Sequence, residues 1–438
     1  MPVIVADGAW TPQGWMADCE IAWDDGVIVR VGPPTGVPSE RLKGKSVTPG
    51  AVNAHSHAFQ RGLRGRVQSR TSENDDFWSW REGMYALADS LSPDAFEALV
   101  AQCFLEMLEA GITTVGEFHY LHHGLAGHRY ADPDELAHRV RAAAEQVGLR
   151  VVLLRTAYYR AGPGRDLVAP QLRFVDRDPT ETLASIERLK RIPGWRVGLA
   201  LHSVRAVPPT FLRELRAYDG LVHAHVAEVR AEVEACKQET GAEPLACFED
   251  AGWLGPQFTA VHLTRPGPGD VARMAQSGAG VCATPSTELD LGDGWVPLAW
   301  IDGPLCVGSD SQAAIDPVGE ARAVEMGARG RMHKRNVWGR LGDESAVAQR
   351  IMDVATTSGD RALGGNGAGL VPGGPADFVA WDLDRPAADG VPPLEAIAFA
   401  SRPEWVSDVW VGGRRVVSEG RAAARDAVRR RFSQPARG

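Results

Sequence analysis

Lysine is the residue this chain most nearly does without. Positions 43, 45, 190, 237 and 334 carry all of it, and arginine supplies the rest of the 47 basic residues. The imbalance is one of composition, but it leaves few amines for chemistry. Positive charge is also short overall, since 56 acidic residues bring the formal net charge to -9. That balance argues against a nucleic-acid partner, which needs a basic face for the phosphates. No apolar run approaches the roughly 18 residues of a membrane span. The opening Met1-Pro-Val-Ile-Val-Ala-Asp-Gly8 lacks a basic stretch followed by a long apolar core, so no secretory signal is expected. Six cysteines, at 19, 103, 236, 247, 282 and 306, form no Cys-x-x-Cys pair. They read as reduced, mostly buried thiols of a cytoplasmic protein. Internal repeats and low-complexity linkers are absent as well.

What is present is a regular alternation. Strand-like segments fall near 46–57, 112–120, 150–159, 196–204, 220–227, 258–264, 278–284 and 303–310. Helical patterns separate them, such as Pro93 to Ala110 closed by Gly111. Eight strands alternating with helices predict an α/β chain with a (β/α)8 barrel over residues 49–365. The two ends, 1–48 and 366–438, hold short β-like pieces between Gly and Asp turns: Val3-Ile-Val, Gly26-Val-Ile-Val-Arg-Val, Asp377-Phe-Val-Ala-Trp and Val409-Trp-Val. They are expected to build one small β-sandwich together. From Ala422 onward the chain reads as a solvated helix and a frayed end.

The run Pro49-Gly-Ala-Val-Asn-Ala-His55-Ser-His57-Ala-Phe-Gln60-Arg61 carries the first chemical signal. Strand alternation sets His55 and His57 on one face, and converging imidazoles are half of a divalent metal site. The pair alone is weak, because His223-x-His225 repeats it. Active sites of such barrels lie at the C-terminal ends of the strands. Those ends read His55 and His57, then Glu117, His119 and Tyr120, then His202 and Arg205. Further along come His225 and Glu228, His262, Thr287-Glu288 and Asp310. A lone buried histidine is more often a hydrogen-bonded core residue than a ligand. Histidines closing strands 1, 5 and 6, with Gly308-Ser-Asp310 closing strand 8, are harder to explain as packing. Three imidazoles and one carboxylate make a mononuclear site with room for water.

This constellation resembles the amidohydrolase superfamily, in particular its mononuclear deaminase branch. Local motifs narrow the resemblance to the formimidoylglutamate deiminase family of histidine degradation. They are His55-Ser-His57-Ala-Phe-Gln-Arg61, Phe77-Trp-Ser-Trp-Arg-Glu82, Glu117-Phe-His-Tyr-Leu-His122, His225-Val-Ala-Glu228, Thr287-Glu-Leu-Asp-Leu-Gly-Asp-Gly294 and Gly308-Ser-Asp-Ser311. The resemblance implies one Zn²⁺ per chain, held by His55, His57, His225 and Asp310. His223 reads as a packing residue of the barrel. Relatives that bridge two metals use a carboxylated lysine at the end of strand 4. Here that end is His202, and none of the five lysines closes a predicted strand.

The resemblance further implies hydrolysis of the C–N bond of a linear amidine: N-formimidoyl-L-glutamate and water would give N-formyl-L-glutamate and ammonia. Zinc brings the pKa of its water toward 7. Asp310 would accept the water proton, His262 would orient the water, and Glu228 would carry a proton to the leaving ammonia. Arg81 and Arg205 would clamp the two carboxylates of the small-molecule substrate, with Gln60, Tyr120 and His202 as further contacts. Simpler readings remain beside these: Arg81 as an ion pair with Asp76 or Glu82, Arg205 as a rim residue, Glu228 as a solvated loop carboxylate. A homodimer is the family habit. Three departures from the family wording stand out: Arg265 in place of a histidine, Gln312 after Ser311, and Cys282-Ala-Thr-Pro-Ser286. The alternatives are a sister deaminase acting on an aminated purine, pterin or triazine, and a barrel that has lost its chemistry.

Overall fold

A computed structural model describes residues 1–70 and 77–433. Asp76, weighed above as a partner for Arg81, and the last five residues of the tail lie outside the described residues. The chain opens with β1 (Val3–Thr11), β2 (Gly14–Asp24), β3 (Val27–Gly32) and β4 (Glu40–Pro49). Eight strands with intervening helices follow: β5 (Ala51–Ser56), β6 (Ile112–His119), β7 (Arg150–Ala157), β8 (Arg196–Leu201), β9 (Val222–Val226), β10 (Phe258–His262), β11 (Gly280–Ala283) and β12 (Leu305–Val307). The chain closes with β13 (Phe378–Asp382), β14 (Val406–Val411), β15 (Arg414–Ser418), β16 (Arg421–Ala422) and a helix over Arg425–Ser433.

Strands β5 to β12 pair in sequence order, all parallel. These strands are short and mostly apolar, as strands covered on both faces must be. The barrel's seam runs between β5 and β12, where Ser56 bridges Asp310. Asp310 N–H donates to the His55 carbonyl at 3.0 Å, and His57 N–H donates to the Asp310 carbonyl at 3.0 Å. Asn53 reinforces the seam through Ser309, accepting from its N–H at 2.9 Å and donating to its Oγ at 2.6 Å. Gly308 is needed there, because a Cβ at this position would lie 2.5 Å from the His55 carbonyl oxygen.

The remaining strands form a second, mixed sheet in the order β16-β15-β14-β13-β4-β1-β2-β3, so both termini share one sheet. One predicted strand divides. The segment 46–57 breaks at Gly50, with β4 in the terminal sheet and β5 in the barrel. A Cβ on Gly50 would sit 2.1 Å from Thr113 Oγ1, so the chain can turn between sheets only at a glycine. The other barrel strands stop one to three residues before their predicted ends. The six cysteines are buried and free. Among the described residues no helix is long and apolar enough to cross a membrane.

Candidate active site

The C-terminal ends of β5, β9, β10 and β12 meet at one point. His55 on β5 and His57, one residue past its end, project to the same side, as alternation leads one to expect, and face His225 of β9. His55 and His57 Nε2 lie 3.2 and 3.3 Å from Asp310 Oδ1, and His225 Nε2 lies 3.2 and 3.3 Å from the same two nitrogens. All four donor atoms fall within 4.8 Å of one another. A tetrahedral ion with bonds of about 2.0–2.1 Å holds its donors about 3.3–3.4 Å apart, so this donor set fits a small divalent metal. The far nitrogens of two rings are anchored. His57 Nδ1 lies 2.9 Å from the Phe118 carbonyl and His225 Nδ1 lies 2.8 Å from the His202 carbonyl, which turns both Nε2 atoms inward. Among the described residues His55 Nδ1 is buried without a hydrogen-bond partner.

Burial pushes the pKa of His55 down to about 3 and lowers those of His57 and His225. All three are therefore neutral imidazoles, the form that ligates metal. Burial opposes the charge on Asp310 too, but the His55 hydrogen bond and the surrounding histidines hold its carboxyl below the usual range. His262 lies beside this group rather than in it. Its Nε2 is 3.6 Å from Glu228 Oε1 and 4.0 Å from Asp310 Oδ2. Burial works against a proton on His262, yet Glu228, Glu288 and Asp310 push its pKa up to about 10. Burial raises Glu228 to about 8, with His262 opposing and Asp293 and Asp310 adding to the shift.

Backbone strain marks the same spot. Ala227, His262, Leu263, Asp310 and Gln312 all adopt positive φ, between 46 and 71°. Such conformations persist only where the surroundings impose them. Ala227 turns the chain just after β9 and so brings Glu228 back toward His262. Gln312 is fully buried, donating to Ser56 Oγ at 3.0 Å and to the Asp310 carbonyl at 2.8 Å. This departure from the family wording therefore braces the His/Asp donor cluster from behind.

A pocket of about 530 Å³ opens onto the cluster. Gln60, Arg81, Tyr120, His202, Arg205 and Glu228, widely scattered in sequence, all line it. Gln60 Nε2 donates to Tyr120 Oη at 2.6 Å. Arg81 lies 4.2 Å over the Trp78 ring, and Arg205 Nη1 donates to the Ala161 carbonyl at 3.2 Å and weakly to Tyr158 Oη at 3.4 Å. Among the described residues neither guanidinium forms an ion pair with a carboxylate. Sequence reasoning missed the aromatic walls, Tyr85, Tyr158 and Phe174, which come from three separate segments without a shared motif. His119 does not line the pocket. It packs beside Phe96 and His122, while its neighbour Phe118 stacks on His225 at 4.4 Å. His223 Nε2 donates to the Ala362 carbonyl at 2.8 Å, in keeping with packing.

Barrel, seam and inward imidazoles are the architecture of a hydrolase with a group able to hold a metal, and residues 46–416 match the amidohydrolase family, to which the chain belongs. A formimidoylglutamate deiminase of Pseudomonas aeruginosa is 37% identical over 99% of this chain and 98% of its own length. An 8-oxoguanine deaminase of the same organism is 29% identical over 84% of this chain and 81% of its own. Among solved structures, an amidohydrolase from Brucella melitensis superposes with a TM-score of 0.90 at 36% identity, covering 99% of this chain and 98% of that one. The chain is thus a hydrolase acting on C–N bonds.

Proposed function

We propose that the chain hydrolyses N-formimidoyl-L-glutamate to N-formyl-L-glutamate and ammonia, with one zinc ion on His55, His57, His225 and Asp310. The carrying observation is the pair Arg81 and Arg205, two guanidiniums lining the pocket that opens onto the metal cluster. Two carboxylates on one small substrate are what such a pair recognises. When bound, the metal supplies an acidified water as nucleophile. Asp310 takes up the proton of the attacking water, and His262 orients that water and stabilises the charge that develops on the nitrogen of the attacked C=N bond. Glu228, with a pKa pushed up to about 8 by burial, is poised near neutrality to pass a proton to the departing nitrogen. Ammonia then leaves neutral, and the formyl product keeps both carboxylates. Gln60, Tyr120 and His202 complete the substrate contacts.

The same reading assigns a cytoplasmic homodimer working in histidine breakdown, with domain limits at 48/49 and 365/366. A second reading, deamination of an aminated heterocycle, draws support from the aromatic walls and the Gln60 amide and from similarity to the 8-oxoguanine deaminase. Ammonia release separates the two. Turnover of formimidoyl-L-glutamate with formylglutamate as product is expected. Faster turnover of guanine, a pterin or melamine, or glutamate plus formamide as first products, would overturn the proposal.

A further inference from the structure

Glu288 belongs to the Thr287–Gly294 motif yet does not line the pocket described above. Its side chain is 1% exposed, and among the described residues the only basic group within 4.0 Å of it is the His262 ring. Glu288 Oε1 accepts from Thr284 N–H at 3.0 Å and from Thr284 Oγ at 3.3 Å, and Oε2 is buried without a partner. Thr284 Oγ lies 3.1 Å from His262 Nδ1, and Glu288 Oε1 lies 3.5 Å from it. A carboxylate only accepts, so the threonine hydroxyl must donate toward Glu288 and offer its lone pairs to Nδ1–H. The proton polarity of the whole chain, from His262 Nδ1 through Thr284 to Glu288, is then set from the carboxylate end. The opposite edge of the ring, Nε2, faces Glu228 and Asp310.

We propose that Glu288 is the positioning residue of His262: with Thr284 it holds the ring by its Nδ1–H and so sets how the opposite edge, Nε2, meets the reacting atoms. It touches neither substrate nor metal ligands and acts through the ring alone. A purely structural role exists beside this one, because Thr284 N–H opens the helix Pro285–Leu291 and Glu288 caps it. Glu288→Gln separates the two. The amide oxygen can still accept from Thr284 N–H, while the charge and the fixed polarity facing His262 are lost.

The inference rests on the role proposed for His262, so the test is a double-mutant cycle with His262→Asn. Glu288→Gln should lower kcat about 10- to 100-fold, with KM and metal content unchanged, as when other orienting groups behind a reacting imidazole are lost. In the His262→Asn background the same substitution should change kcat by less than about twofold. Wild-type kcat for Glu288→Gln, loss of metal, or the same fold-loss in both backgrounds would overturn the inference alone. Wild-type kcat for His262→Asn would overturn both it and the proposed role of His262.

Discussion

Replacing Arg205 by methionine tests the substrate assignment most directly, since the stem's volume is kept and only the guanidinium goes. One amino group of Arg205 is committed to Ala161 and Tyr158, which leaves Nε and the second amino group for a ligand. A hydrogen bond to a charged partner contributes about 1.5–3 kcal/mol. The residue is half-buried, so water softens the loss, and we take about 2–3 kcal/mol for the bidentate contact. At about 1.36 kcal/mol per tenfold, kcat/KM for formimidoyl-L-glutamate should fall roughly 30- to 160-fold. The assay is ammonia release from three compounds: formimidoyl-L-glutamate, formimidoyl-L-glutamine and 4-formimidoylaminobutyrate. Each of the last two lacks one carboxylate. For whichever lacks the group that Arg205 holds, the variant should match wild type within about twofold. Equal losses on all three compounds would refute the reasoning, because the arginine would then serve the pocket rather than a carboxylate.

Elemental analysis should find about one zinc per chain, and His57→Ala or Asp310→Ala should lose metal and activity together. Two metals required for turnover would contradict the donor set described above. Glu228→Gln should keep its metal and lose about 10²- to 10⁴-fold in kcat, measured at saturating substrate. A wild-type kcat would send the proton by another route. Stability should vary with pH through Glu320, which burial raises from an ordinary 4.5 to about 8 although Ser286 hydrogen-bonds its carboxylate. Because the folded state favours the proton, this contribution is full below pH 4.5 and is lost as pH rises through 8. Glu320→Gln should therefore be more stable than wild type at pH 8, by about 4 kcal/mol, and equal to it near pH 4.5 in denaturant titrations.

Much of this was legible in the residues themselves. Short Val-, Ile- and Leu-rich runs between helical patterns marked all eight barrel strands, because each strand is covered on both faces. Histidines at successive strand ends marked the cluster, because the barrel delivers those ends to one place. The turns that aim the site left no trace. Nothing in the types Ala227, His262 or Asp310 announces a left-handed backbone, and the predicted strands ran on through it. His119 looked like a site residue by position. The alternation that paired His55 with His57 also sets Phe118 and Tyr120 together and turns Glu117 toward Ser56, to which it is bonded at 2.7 Å. Glu288 showed as a residue near a strand end and as part of a motif but not as the partner of His262, because their contact is purely tertiary.

The barrel's seam has a consequence for when the enzyme comes into being. Asn53 and Ser309, 256 positions apart in sequence, hold its two edges together, and the proposed metal ligands straddle the same join. During synthesis the first two imidazoles emerge early but cannot form the full site until Asp310 has arrived and the final strand has docked. An ion bound there would act as a clasp on a ring. It would favour the closed barrel over every open one by mass action, and a chain truncated before residue 310 would hold neither clasp nor catalyst. In this architecture catalytic competence doubles as a report that the ring has shut.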